Sequence, residues 1–263
     1  PGLFMVSYFA GFEMGLLAGF LIVLLGYGLP HLVFLGRVGR FWRAVLNPRG
    51  SWISKGFLFA SVFMMAGGLV VFHLVPFVGF ELMSPGSDIY NMVMWAAMAS
   101  CFLLAIYPGF LFSVIKAIPF WNSGALVPLF LVQALGAGFA LTFAMYALPF
   151  FDDAVANWMV YADIALVVVT GALISGLLFG KRVSGRAGGK SVAALLRGKY
   201  KRMFVFGAIG CGIVLPVAML ALAVAGLGFP LMLAVAGSLQ ITGTMLFKYS
   251  FLNAGAYDSI YAE

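Results

Sequence analysis

The sequence predicts an all-α fold, a polytopic bundle of transmembrane helices, and three observations carry that expectation. Hydrophobic residues fill 64% of the 263 positions and charged residues only 9%, against about a quarter in a soluble domain. Seven apolar segments are long enough to cross about 30 Å of hydrocarbon at roughly 1.5 Å per residue. They fall near 9–34, 56–78, 90–114, 124–149, 155–179, 203–224 and 228–251. The charges between them then sort by side. With alternating crossings all 15 Lys and Arg reach one face, and Glu81, Asp88, Asp152 and Asp153 the other. The positive-inside rule makes the basic face cytoplasmic, with the N-terminus of this chain outside and its C-terminus inside. The expectation is one integral membrane domain over 1–263. Topology and contact with membrane lipid account for the net charge of +7, and no nucleic-acid partner is expected.

The chain begins Pro1-Gly2, which leads one to expect an N-terminus that is processed or continues upstream. In the first span Gly11, Gly15 and Gly19 repeat every four residues, a spacing that lets another helix approach closely. Glu13 beside them is either a proton-relay carboxylate or an interfacial group in water. The loop after Pro30-His31 is basic and aromatic, with Arg37, Arg40, Arg43 and Trp52. It reads as an interfacial segment that anchors in lipid head groups or forms a docking floor for another subunit.

The two histidines, His31 and His73, sit at opposite ends of the first two spans, with depths that differ by roughly 20–25 Å. They cannot share one haem iron, so no bis-histidine haem is expected within this chain. Cys101 and Cys211 lie inside apolar runs and supply no zinc or iron–sulfur ligand set. No metal site is expected.

The stretch from Tyr107 to Pro128, YPGFLFSVIKAIPFWNSGALVP, joins the third and fourth spans. Proline cannot donate to the helix ladder, so Pro108 loosens backbone carbonyls beside the Tyr107 hydroxyl at membrane depth. Two readings stay open. One is a proline-kinked helix with Trp121 as an interfacial anchor. The other is an apolar slot in which Tyr107, Gly109, Trp121 and Asn122 hold a polar head group.

Gln133 follows in the fourth span. Asp163 in the fifth is either an intramembrane acid on a proton path or a group solvated from the outer side. The next loop contains GRAGGKS at 185–191, but Ser184 stands where a phosphate loop needs glycine and no strand precedes it. Nucleotide binding is not expected there. The sixth span carries Pro216, and the seventh Gln240, Thr242, Thr244 and Lys248.

RVGRFWRAVLNPRGSWISKG and YPGFLFSVIKAIPFWNSGALVPLF resemble the NrfD/PsrC family, the membrane subunits of polysulfide-reductase-like complexes. Arg40-Phe41-Trp42, Asn47-Pro48, Ser51-Trp52, Tyr107-Pro108-Gly109 and Pro119-Phe120-Trp121-Asn122 carry the resemblance. It implies a quinone-binding four-helix core over 9–149 with three further spans over 155–251. It also implies a haem-free anchor that exchanges electrons and protons between menaquinone or ubiquinone and a partner. That partner would be a ferredoxin-like subunit with four 4Fe–4S clusters, itself joined to a molybdopterin-family catalytic subunit. Such a chain would lie in a bacterial or archaeal inner membrane and be either quinone-reactive or non-catalytic. By matching motif Tyr107 would hydrogen-bond a quinone carbonyl, and the Trp121-Asn122 corner would wall the pocket.

The chain departs from the family pattern in two places. Many relatives have an aspartate where Phe34 stands, so His31 would supply the nearby titratable group. Many also have eight spans, one of them ahead of the first span here.

Two readings from other classes remain beside this one. A small-solute or proton-coupled transporter would use Glu13, Asp163 and the broken third helix. A purely structural anchor would have lost its quinone pocket.

Overall fold

The computed structural model describes residues 1–34, 39, 42–43, 46–75, 83–148, 155–227 and 230–257. These residues form helices joined by turns, with no strand among them. Trp52–Val71, Asp88–Ser113, Leu126–Tyr146, Asn157–Val183, Arg202–Leu227 and Leu231–Asn253 are long and apolar enough to cross a membrane. They correspond to predicted spans two to seven. The chain separates into two compact units, Pro1–Pro108 and Gly109–Glu263.

In the first unit the predicted span 9–34 is divided. Helix α1 (Gly2–Ala10) ends at Gly11, whose φ of 66° is the left-handed conformation that glycine adopts without a Cβ penalty. Helix α2 (Glu13–Val23) then runs back along it. Gly15 and Gly19 make that approach possible. A Cβ at Gly19 would lie 2.6 Å from the backbone nitrogen of Phe4, and one at Gly15 would overlap the Ser7 hydroxyl. The small-residue stripe therefore packs on α1, with Gly11 serving as the turn. Hydropathy could not reveal the break, because both arms of the hairpin are apolar.

Helix α2 continues without interruption into a π-helical turn, Leu24–Gly28, and then into α3 (Leu29–Phe34). The rod from Glu13 onward is about 30 Å long, and its apolar part, Glu13–Gly28, is shorter than the six spanning helices. Pro30 cannot donate to the carbonyl four residues before it, and the preceding turn widens so that the Leu29 N–H reaches Leu24 instead. Helix α4 (Trp52–Val71) packs on this rod through Phe63, which meets Phe4 edge-on at 5.1 Å and Phe20 at 6.0 Å. The start of α4 is set by its sequence. Asn47 Oδ1 accepts from Gly50 N–H at 3.1 Å, and Ser51 caps the helix by accepting from Ser54 N–H. Helix α5 (Asp88–Ser113) carries Pro108 inside it.

The second unit contains α6 (Leu126–Tyr146), α7 (Asn157–Val183), α8 (Arg186–Leu196), a π-helix (Arg202–Val214), α9 (Leu215–Leu222) and α10 (Pro230–Asn253). Helix α10 packs against both α6 and the π-helix. Glycine sets both approaches: a Cβ at Gly237 would meet the Ala140 carbonyl at 2.5 Å, and one at Gly243 would overlap the Gly212 backbone. Val192 and Leu195 of α8 join Phe120, Phe204, Phe247 and Phe251 in one apolar core. The basic loop after the fifth span is thus a short helix seated on the bundle, and Gly185–Ser191 forms its opening turn.

Candidate functional site

Tyr107 of α5 is buried at 7% exposure, with its ring against Gly56 of α4. Any Cβ at position 56 would overlap the Cε2, Cδ2 and Cζ atoms of that ring. Glycine here is a requirement of space. Gly56 is one turn into α4, so the phenol lies about 6 Å from the start of that helix. Tyr27 is half-buried, and its phenol comes close enough to that of Tyr107 for the two to interact. Tyr27 stands in the π-helical turn, a distortion that recurs at functional sites.

The sequence pointed to Tyr107 through Pro108 but did not single out Tyr27. The available signal was Gly26-Tyr27-Gly28-Leu29-Pro30, a hydroxyl between two glycines just ahead of a helix-breaking proline. A hydroxyl carries one donor and two acceptor positions. A phenol can therefore serve a neighbouring phenol or an incoming carbonyl or hydroxyl.

His31 lies in α3, one turn beyond Tyr27, and its side chain falls outside the described residues, as do Arg37 and Arg40. Arg43 is exposed, with its guanidinium over the Trp42 ring. Trp52 opens α4, and the Lys55 ammonium sits 4.0 Å above its ring. Glu13 is exposed in the first turn of α2, where a carboxylate suits the positive end of the helix dipole.

In the second unit the turn after α5 is held by its polar side chains. Asn122 Nδ2 donates to the Ser113 carbonyl, left over at the end of α5, and Lys181 Nζ donates to the Asn122 carbonyl. Trp121 Nε1 donates to the Phe251 carbonyl at 3.3 Å, and its ring meets Phe112 edge-on. Gly109 lets backbone approach backbone, since a Cβ there would lie 2.6 Å from Val127 Cα. These contacts assign Gly109, Trp121 and Asn122 to bracing the corner between the third and fourth spans. Asp163 is fully buried and accepts at Oδ1 from Gln240 Nε2 at 2.9 Å. Among the described residues no three His, Cys, Asp or Glu side chains gather into a metal-binding group.

Residues 9–257 match the family model described as "Polysulphide reductase, NrfD". The chain belongs to the NrfD family. It is also similar to "Protein NrfD" of Escherichia coli (strain K12), 30% identical over 163 residues, which are 58% of this chain and 49% of that protein. The chain thus spans about half the length of this curated relative. No solved structure matches. As an NrfD-family protein it is a multi-pass membrane subunit, and the family match takes in the glycine-paired spans of both units.

Proposed function

We propose that this chain is the quinone-reactive membrane anchor of a multi-subunit oxidoreductase. The observation that carries the reading is the phenol pair, half-buried Tyr27 with buried Tyr107, whose ring is lodged against Gly56 one residue ahead of Pro108. A quinone site needs apolar walls for the ring and tail, hydrogen-bond donors at the carbonyls and a route for protons. The pair meets the donor requirement, and the missing side chain at Gly56 seats the Tyr107 ring that presents one of the hydroxyls. When bound, the quinone supplies carbonyl–hydroquinone chemistry, in which two electrons and two protons are exchanged.

In this reading Tyr107 orients a quinone carbonyl and Tyr27 holds the Tyr107 hydroxyl in line when the site is empty. His31 is the candidate that exchanges protons with water, and Glu13 is a further candidate on a proton path. Gly109, Trp121 and Asn122 keep the corner after the third span rigid. The electrons come from or go to a four-cluster iron–sulfur subunit, itself joined to a molybdopterin-family subunit. Arg37, Arg40, Arg43 and Trp52 form its docking floor. The basic face is cytoplasmic and the membrane is a bacterial or archaeal inner membrane.

Tyr107→Phe in the assembled complex is the test. Quinone-linked turnover should fall at least about tenfold, the scale of one lost catalytic hydrogen bond. Turnover with an artificial electron carrier acting directly on the partner should stay unchanged. Undiminished quinone-linked turnover would overturn the assignment.

A further inference from the structure

Helices α6, α7 and α10 of the second unit enclose three polar side chains that the phenol pair does not use. Gln133 is 3% exposed, Asp163 is fully buried and Gln240 is 5% exposed. Gly136 makes room for them, since a Cβ there would lie 2.7 Å from Gln240 Nε2 and 3.6 Å from Asp163 Oδ1. The Gln240 amide spends one hydrogen on Asp163 Oδ1. Three oxygens then remain buried with no donor: Gln133 Oε1, Asp163 Oδ2 and Gln240 Oε1.

Beside them lies a cavity of about 10 Å³, at the lower edge of what a single water needs. The Gln133 and Gln240 side chains line it, together with Thr170, Thr244, Gly136 and Gly212. All three orphaned atoms are acceptors, so what is lacking is hydrogen or positive charge. Among the described residues no basic side chain supplies it. On α10 the Lys248 ammonium sits over the Phe130 ring, and at the far end of α7 Lys181 donates to the Asn122 carbonyl. Arg182, in the last turn of α7, and Arg202, at the start of the π-helix, are both exposed. Asp163 is also the one acidic residue among the described residues of this unit. An ionised carboxylate with an unpaired oxygen in such surroundings is far costlier than a neutral one.

We propose that this cluster is an internal proton-binding site, in which Asp163 carries an exchangeable proton on Oδ2 and one water occupies the adjacent cavity. The hydrogen count closes. The proton covers Asp163 Oδ2, and the two water hydrogens go to Gln133 Oε1 and Gln240 Oε1, whose residues line the cavity. The threonine hydroxyls give the water a second set of partners, through which the proton can leave. A site of this kind stores one proton inside the second unit, independently of quinone chemistry at the phenol pair.

Infrared spectroscopy of the full chain in lipid vesicles tests this without quinone or partner subunit, so it stands or falls separately from the proposed function. The wild-type protein should show the carbonyl stretch of a protonated carboxylic acid, and that band should shift on transfer to D2O. Asp163→Asn should abolish it. Gln133→Leu should keep the band but move it, which decides the matter even where the first variant does not fold. A missing band in wild type, or one unaltered in both variants, overturns the proposal. So does a melting temperature that rises with sodium or potassium in wild type but not in Asp163→Asn, since the guest would then be a metal cation.

Discussion

In the first unit two phenols stand close to one another, whereas in the second a carboxyl and two carboxamides leave three oxygens without a donor among the described residues. A hydroxyl is donor and acceptor at once, so two of them can serve one another or a ligand. Carboxyl and amide oxygens only accept, so the same burial creates a demand that something must enter to meet. Both clusters rest on glycine, with Gly56 beneath the Tyr107 ring and Gly136 beside Gln240. The contrast teaches that a membrane bundle can hold polar groups either self-sufficient or waiting, according to which atoms they present.

The largest effect should come from filling the space under the phenol. Gly56→Val forces the Tyr107 ring out of its seat, and overpacking of this kind costs about 1–3 kcal/mol. The yield of assembled protein in membranes should drop severalfold, while Gly56→Ala gives a milder loss. Equal yields for both would show that the ring is not confined. Next, if the phenols work as a unit, Tyr27→Phe and Tyr107→Phe should not add. The double variant should lose quinone-linked turnover to about the same extent as Tyr107→Phe alone, and full additivity would break the pair.

In the second unit Asn122→Ala removes the donor to the Ser113 carbonyl. A loss of about 1–2 kcal/mol is expected, read as a lowered melting temperature with quinone affinity unchanged. A fall in quinone affinity alone would instead place Asn122 at the ligand. The smallest effect belongs to Lys55→Met, which removes the ammonium over Trp52. At a partly exposed site that contact is worth about 0.5–1 kcal/mol. Melting should barely move, and any larger change should appear in binding to the proposed iron–sulfur partner.

Hydropathy made the six later spans legible because crossing a bilayer demands long apolar runs, and the structure places helices at all six. It set the start of the first at residue 9, ahead of the turn before Glu13, because a hairpin between two apolar arms leaves no trace in mean hydropathy. Only Gly11 marked the turn, and it was indistinguishable from the packing glycines four and eight residues on. Tyr107 was legible through the proline that follows it. Its contact with Tyr27 was not, since that depends on the rotation added by a π-helical turn. Likewise Gln133, Asp163 and Gln240 each stood out as polar residues in apolar spans. Their meeting depends on how three helices are turned about their axes, which spacing along one chain does not state.

The crossing of Gly212 with Gly243 has a consequence for how this protein responds to heat. Where main chain meets main chain there are no side-chain torsions to freeze on association or to release on loosening. Such a seam gains little entropy by opening, so warming should unzip the bundle first along its phenylalanine-filled margins and last at that bare crossing.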